Sequence, residues 1–145
     1  MRPTFEKLSR KKQKAILDAA AQIFAEKGYA RANIADICRN AHISNGALYK
    51  YFKHKEDTFI AVFERLVKRF SINNDRYMSM KGSVYDIFKL ILSDIAELAA
   101  NHKPYIVIYH DLGSPSMSYF ASFLYQKIEE PSNKSWALLI QEANR

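Results

Sequence analysis

The sequence has few of the residues that cross-link small secreted proteins or interrupt helices. Its 145 residues include one cysteine, four glycines and four prolines. A single cysteine cannot form an internal disulfide, which excludes a disulfide scaffold and favours a reducing compartment such as the cytoplasm. Because turn-forming residues are scarce and extended apolar–polar alternation is missing, the sequence predicts an all-α fold.

Membrane and catalytic signals are also missing. No stretch approaches the roughly 20 uninterrupted apolar residues of a membrane-spanning helix, and the basic start "MRPTFEKLSRKKQK" lacks the apolar core of a secretory signal. The four histidines have no cysteine or second histidine at metal-ligand spacing. No glycine-flanked nucleophile or phosphate-binding loop occurs. The sequence therefore predicts no enzyme, no cofactor, no metal site and no membrane partner.

Positive charge is concentrated in the first third of the chain. The net charge is +7, and residues 1–55 contain 12 Lys/Arg against 4 Asp/Glu, whereas residues 56–145 contain 10 against 11. This asymmetry indicates an anionic partner for residues 1–55. A basic face that is merely solvated is the plain alternative.

Residues 1–55 predict three short helices. Ser9 caps the first, whose apolar residues share one face up to about residue 27, and Gly28 ends it. Asn33 caps the second, and Ser44 caps the third after a turn of three or four residues. Two helices joined in this way form a helix-turn-helix. Further helices are predicted over about 55–73, 83–101, 104–112 and 116–130, with a restart after Pro131.

Gly46 lies inside the third predicted helix, where glycine costs about 1 kcal/mol relative to alanine. With Leu48 facing the core, Gly46 and Lys50 lie on the opposite side of the helix and Tyr49 at its edge. A bare backbone there fits the major groove of DNA, whose flanking phosphates accept hydrogen bonds from lysine, tyrosine and backbone N–H groups. The alternative is that Gly46 relieves crowding against a neighbouring helix, which its outward direction opposes.

Many residues in fixed order make up the run "AILDAAAQIFAEKGYARANIADICRNAHISNGALYKYFKHKEDTF", residues 15–59. It includes Gly28-Tyr29, Ile37, Ala41, Ile43-Ser44, Gly46, Leu48-Tyr49, Tyr51-Phe52, Lys55 and Glu56. The run closely resembles the N-terminal DNA-binding domain of the tetracycline-repressor (TetR) family of bacterial transcription regulators.

The resemblance implies an all-α chain with a helix-turn-helix DNA-binding domain at 1–55 and a helical effector-binding and dimerisation domain at 56–145. It implies a cytoplasmic repressor that binds a palindromic operator in double-stranded DNA as a homodimer. A small-molecule effector, apolar or aromatic in character, is expected to release it. The DNA-contacting residues that it implies are Asn33, Ser44, Asn45, Gly46, Ala47, Tyr49, Lys50, Tyr51 and Lys55.

The sequence departs from the family pattern at four positions. Ala32-Asn33 stands where members usually have paired threonines, so one hydroxyl contact is expected to be lost. Ala47 lacks a hydroxyl that many members carry, so one phosphate contact is expected to be lost there. His42 replaces the glycine of the turn. That position is expected to need a positive φ, which histidine tolerates better than most other residues.

The second half of the chain is rich in aromatic residues, and the resemblance implies an effector pocket among its helices. Aromatic residues at helical spacing are also ordinary core residues. Family members continue past "IQEANR" with two more helices that form the dimer, so the chain is expected either to be C-terminally short or to pair through residues 116–145. The candidate effector residues are Tyr105, Tyr109, His110, Phe120, Phe123 and Trp136.

Two other functions fit the residues. A helical protein-interaction module could bind an acidic protein through its basic N-terminal face, without preference for any DNA sequence. A membrane-surface protein could use "SRKKQKAILDAAAQIF" as an amphipathic anchor, although packing the helix-turn-helix is an obvious use of the same apolar face. Cys38 lies on the apolar stripe of the second helix, where core packing is expected rather than a redox switch.

Overall fold

The computed structural model describes residues 3–80 and 82–111, and six positions beyond them: 117, 118, 120, 126, 137 and 141. This part of the chain is helical and contains no strand. The helices are α1 (Pro3–Glu6), α2 (Arg10–Arg31), α3 (Ile34–Ala41), α4 (Asn45–Tyr51), α5 (Lys55–Ser79), α6 (Val84–Asn101) and α7 (Lys103–Asp111). The predicted helix over 116–130 and the restart after Pro131 lie outside the described residues, apart from single positions.

Hydrogen bonds at the helix starts confirm the predicted caps. The side chains of Ser9, Asn33 and Ser44 each accept a hydrogen bond from the backbone N–H three residues further on, at 3.4, 2.8 and 3.1 Å. Each cap satisfies one donor that the first turn of a helix leaves without an internal partner. His42 adopts the left-handed conformation expected for the turn, with φ 54° and ψ 43°.

Two helix ends differ from the prediction. Gly28 leaves the helical conformation, with φ 71° and ψ 158°, but α2 resumes and continues to Arg31, so the glycine marks a kink. Helix α5 continues past the predicted end near residue 73 to Ser79. Its last turns are attached to α6 by a hydrogen bond from the Tyr77 hydroxyl to the Asp94 carboxylate at 2.7 Å. A pattern of apolar residues does not predict a polar contact of this kind.

Nothing in the sequence pattern predicts α1, a single turn that Phe5 anchors. Phe5 is 2% exposed, and its ring centroid lies 4.9 Å from that of Phe52 and 5.9 Å from that of Tyr51. The Thr4 hydroxyl donates a hydrogen bond to the Lys50 carbonyl at 2.6 Å. Helix α1 therefore packs on the C-terminal end of α4.

The hydrophobic core crosses the predicted boundary between residues 55 and 56. The Phe59 ring of α5 lies 5.0 Å from that of Phe24 on α2 and 4.8 Å from that of Phe120. Cys38 belongs to the same core, where burial raises the pKa of its thiol. Its packing role is thereby confirmed, whereas the division into domains 1–55 and 56–145 stays a prediction.

The apolar face of α2 is used inside the protein. Ile16, Ala20 and Phe24 are at most 1% exposed. A membrane-surface anchor built on this helix would need that face free to enter the lipid, so the packing contradicts the membrane alternative. Within the described residues, no helix has both the length and the apolar character that crossing a bilayer requires.

Helix α6, by contrast, is apolar on two sides. Ile87 and Leu98 are buried against the rest of the chain. On a neighbouring side of the helix, four large side chains are between 49% and 74% exposed: Tyr85, Phe88, Leu92 and Ile95. They recur at three- and four-residue intervals and therefore form one continuous stripe on the surface.

Candidate nucleic-acid interface

Two buried side chains fix the rotation of α4 about its axis. Leu48 and Phe52 are 0% and 1% exposed and belong to the core that α2 and α5 also form. Residues on the other side of this short helix must therefore face solvent. The helix-turn-helix predicted from the sequence is present as α3, the turn at residues 42–44, and α4.

Most of the predicted DNA-facing residues lie on the solvent side of α4. Asn45, Gly46 and Lys50 are exposed, Tyr49 is 48% exposed, and Ala47 is half-buried. Apart from its chain neighbours and the backbone of its own helix, a Cβ atom built on Gly46 would meet no atom within 4 Å. The glycine therefore does not relieve crowding. Because it has no side chain, it leaves a flat surface beside Tyr49 and Lys50.

Replacing Gly46 by alanine is expected to move stability and DNA binding in opposite directions. The site is helical and open, so alanine should raise the free energy of unfolding by about 0.4–1 kcal/mol. The added methyl group would stand on the surface of closest approach and weaken binding. Urea denaturation and a DNA titration measure the two effects. Gly82→Ala, whose added Cβ would lie 3.6 Å from the Asp86 side chain, is the control; unchanged binding by Gly46→Ala would contradict the expectation.

Asn33 and Tyr51 lie at the margins of the α4 surface. Asn33 is exposed, and its side-chain oxygen caps α3 through the Asp36 N–H. Tyr51 is half-buried because its ring packs on Phe5. Tyr51 thus supports α1, whereas the phosphate contacts that the resemblance implies for both residues stay predictions.

Lys55 is placed differently from the expectation of a phosphate contact. Its Nζ donates to the carbonyl oxygens of Tyr29, Ala30 and Ala32 at 2.8, 3.2 and 3.0 Å. It also lies 4.5 Å from the centroid of the Tyr29 ring. An ammonium group has three donors, so all of them are used inside the protein. Lys55 joins the start of α5 to the end of α2, where the last carbonyls of the helix have no partner inside it. The helix end that Gly28 predicts is the sequence signal that could have indicated such acceptors.

A carboxylate of the chain itself lies at the start of α5, close in sequence to Lys55. Asp57 accepts hydrogen bonds from the backbone N–H groups of Lys53 and His54 at 2.8 and 3.0 Å. Burial acts to raise the pKa of Asp57, but these two hydrogen bonds outweigh it and the pKa lies below its ordinary value. Helix α5 therefore carries its own anion at this end.

A polar cluster on Asp18 connects α2 with α5 and α7. One carboxylate oxygen accepts hydrogen bonds from the Arg65 guanidinium at 2.8 Å and the Tyr105 hydroxyl at 3.4 Å, and the other accepts from Lys14 at 2.6 Å. Burial acts to raise the pKa of Asp18, but Lys14 and Arg65 together hold it below its ordinary value. Burial also raises the pKa of Tyr105 to about 12. The cluster therefore stays charged on Asp18 and protonated on Tyr105 at neutral pH.

Acid is expected to destabilise the chain through Asp18. Its folded pKa lies below the ordinary value near 3.9, so the unfolded chain binds more protons around that pH. The stabilisation is complete well above that value and is lost as pH falls through the folded pKa. Urea unfolding between about pH 6 and pH 3 should show a weaker decline for Asp18→Asn than for the wild type. The exposed Asp75→Asn serves as control, and an unaltered decline in Asp18→Asn would contradict this.

The predicted effector residues do not meet in one cavity within the described part. Tyr105 lines a space of about 30 Å³ between α5, α6 and α7, which is about the volume of one water molecule. Phe120 packs in the core, Tyr109 is 45% exposed, and the His110 side chain is 90% exposed. A larger cavity of about 180 Å³ at the kink of α2 includes none of these residues. Phe123 and Trp136 lie outside the described residues.

The structure contains a helix-turn-helix whose second helix is exposed and is held in place by packed helices. These features define the helix-turn-helix class of DNA-binding folds. Residues 16–62 match the family model of the bacterial regulatory proteins of the tetR family. Residues 16–62 of this chain therefore belong to the TetR family.

Two proteins similar to this chain are regulators of fatty acid metabolism or degradation. The chain is 30% identical over 125 residues to the fatty acid metabolism regulator protein of Bacillus subtilis, covering 86% of this chain and 62% of that protein. The crystal structure of the transcriptional regulator FadR from Bacillus subtilis in complex with stearoyl-CoA matches with a TM-score of 0.65 and 27% identity, covering 90% of this chain and 67% of that one.

The fatty acid degradation regulator FadR from Bacillus halodurans matches with a TM-score of 0.64 and 29% identity, covering 79% of this chain and 63% of that one. Both of these relatives are regulators. The chain spans about three-fifths of the length of the fatty acid metabolism regulator that it matches, since 62% of that protein is covered.

Proposed function

We propose that this chain is a sequence-specific DNA-binding transcriptional regulator, and that α4 is its recognition helix. The observation that carries the proposal is the solvent face of α4, where the open backbone at Gly46 lies beside exposed Tyr49 and Lys50. A helix of this kind can enter the major groove, and its lysine and tyrosine can contact base edges or phosphates. Membership of the TetR family supports the same reading.

Two copies of the chain are needed for tight binding under this proposal. One α4 covers a short half-site, and successive major grooves on one face of DNA lie about 34–36 Å apart. A homodimer on a palindromic operator would place one α4 in each groove. An effector would act as an inducer by shifting the population toward a spacing of the two helices that no longer fits.

An acyl-CoA thioester is the effector class that we propose to test first. A related FadR structure contains stearoyl-CoA, and a long acyl chain agrees with the apolar character expected from the aromatic residues in the second half of this sequence. Stearoyl-CoA should release the chain from operator DNA, whereas free coenzyme A should not. Release by neither compound would contradict the acyl-CoA assignment and leave DNA recognition untouched.

The first test of the proposed function is binding to DNA from upstream of the chain's own gene, against scrambled DNA of equal length, at two salt concentrations. A sequence-specific regulator should keep its preference at the higher salt concentration, with two chains per site. Equal binding to both DNAs that disappears with salt would show phosphate neutralisation alone. That result would favour the alternative, a helical interaction module whose basic face binds an acidic protein.

A further inference from the structure

A second basic surface lies outside α4, at the start of the described chain. It consists of Lys7, Arg10, Lys11 and Lys12, here called the N-terminal basic patch. All four residues are exposed. Within the described residues none of them forms an ion pair, whereas nearby Lys14 pairs with Asp18 at 2.6 Å. The patch therefore presents four uncompensated positive charges to solvent.

The fold itself does not explain these charges. Arg10, Lys11 and Lys12 form the first turn of α2, and that turn contains no acidic residue. Cations at the N-terminal end of a helix oppose its dipole, so acidic residues are the stabilising choice there. The side chains also support no packing, since all are exposed. An anionic partner outside the chain would account for this arrangement, whereas a merely solvated basic face is the alternative that the test below separates from it.

The N-terminal basic patch is held next to the recognition helix. Helix α1 is fixed to the end of α4 by the Thr4 hydrogen bond to the Lys50 carbonyl and by the buried Phe5. Lys7 follows Thr4 by three residues, so their Cα atoms are within about 11 Å of each other. Gln13 then fixes the connection to α2, donating to the carbonyls of Glu6 and Leu8 at 3.2 and 2.9 Å.

We propose that the N-terminal basic patch binds backbone phosphates of the duplex that flanks the half-site read by α4. This inference rests on the proposed function, because it places α4 in a DNA groove. Phosphate contacts by lysine and arginine fix the position of a protein on DNA and carry no sequence information. The patch thus lengthens the DNA footprint of each chain and adds affinity without changing which bases are preferred.

The test compares two triple variants that remove the same charges. The patch variant is Lys7→Gln/Lys11→Gln/Lys12→Gln, and the control is Lys68→Gln/Lys89→Gln/Lys103→Gln, with exposed lysines of α5, α6 and α7. Each is titrated with an operator that ends at the half-sites and with one that carries flanking duplex, over a series of salt concentrations. Urea unfolding of both variants establishes that they are folded.

The patch variant should bind the longer operator no better than the shorter one, whereas the wild type and the control should prefer the longer one. The slope of log affinity against log salt should fall by about 2–3 per chain in the patch variant. If both variants lost affinity and salt slope equally, the effect would come from the overall charge of the chain, and the inference would be overturned. A patch variant that keeps the wild-type slope and length preference would overturn it as well.

The wild type is measured before the variants. If the wild type shows no operator preference, the proposed function fails and this inference fails with it. If the wild type binds its operator specifically and the patch variant behaves as the wild type does, the function stands and the inference alone is overturned. The two failures are therefore distinguishable.

Discussion

Replacing Tyr49 and Lys50 together by alanine is expected to abolish specific operator binding while the chain stays folded. Both side chains are exposed on the face of α4 that points away from the core. A contact to a base edge contributes about 1–3 kcal/mol, and each phosphate contact adds to affinity separately. Losing two such contacts should weaken operator binding on the order of 100-fold or more. The hydrogen bond from Thr4 to Lys50 uses a backbone carbonyl and survives the substitution.

A matched control is available on α6. Tyr85 and Lys89 are exposed residues of the same two types, and Tyr85→Ala/Lys89→Ala should bind the operator as the wild type does. Fluorescence anisotropy with labelled operator measures affinity, and urea denaturation measures stability. Wild-type affinity in the α4 variant would show that α4 is not the recognition helix. Equal losses in both variants would point to a general effect of removing surface groups.

Replacing Lys55 by methionine is expected to give the largest loss of stability among surface lysines. Methionine replaces the unbranched apolar stem of the lysine but leaves the carbonyls of Tyr29, Ala30 and Ala32 without the ammonium. Hydrogen bonds to charged groups contribute about 1.5–3 kcal/mol, and the contact with the Tyr29 ring about 0.5–1 kcal/mol more. Since water can reach some of these carbonyls, the free energy of unfolding should fall by about 2–3 kcal/mol.

The same variant separates the two roles considered for Lys55. If Lys55 were a phosphate contact, stability would stay unchanged and the salt slope of DNA binding would fall by about 1. If Lys55 is an internal link between α2 and α5, Lys55→Met should lower the free energy of unfolding. Its salt slope of DNA binding, measured at low denaturant and low temperature, should stay near that of the wild type. Lys53→Met, an exposed lysine two residues earlier, should change stability little.

Lys55 and Asp18 both connect helices that the sequence assigns to different domains. Lys55 ties the start of α5 to the end of α2, and Asp18 on α2 binds Arg65 of α5 and Tyr105 of α7. These charged contacts, together with the shared core around Phe59, hold the helix-turn-helix against the following helices. Under the proposed function they are the contacts through which a movement of α5 or α7 would reach the DNA-binding helices.

Local rules determined much of this protein. Ser9, Asn33 and Ser44 cap their helices as predicted because a cap depends only on a side chain and the next turn of backbone. His42 has the predicted positive φ for the same reason. The outward direction of Gly46 follows from helical periodicity once Leu48 faces inward. The helix-turn-helix, its exposed face and the family could therefore all be predicted from the sequence.

Only the tertiary structure decided which polar side chains turn inward. Lys55 reaches a carbonyl 26 residues away, and Tyr105 reaches a carboxylate 87 residues away. Similarly, α1 is held in place by the packing of Phe5 on Phe52, a residue far away in the sequence. A lysine at the start of a helix can bind a phosphate or an internal carbonyl with the same chemistry, and the choice depends on what the fold brings within about 3 Å of its ammonium. Periodicity and capping say nothing about such distances, because they describe neighbours along one helix.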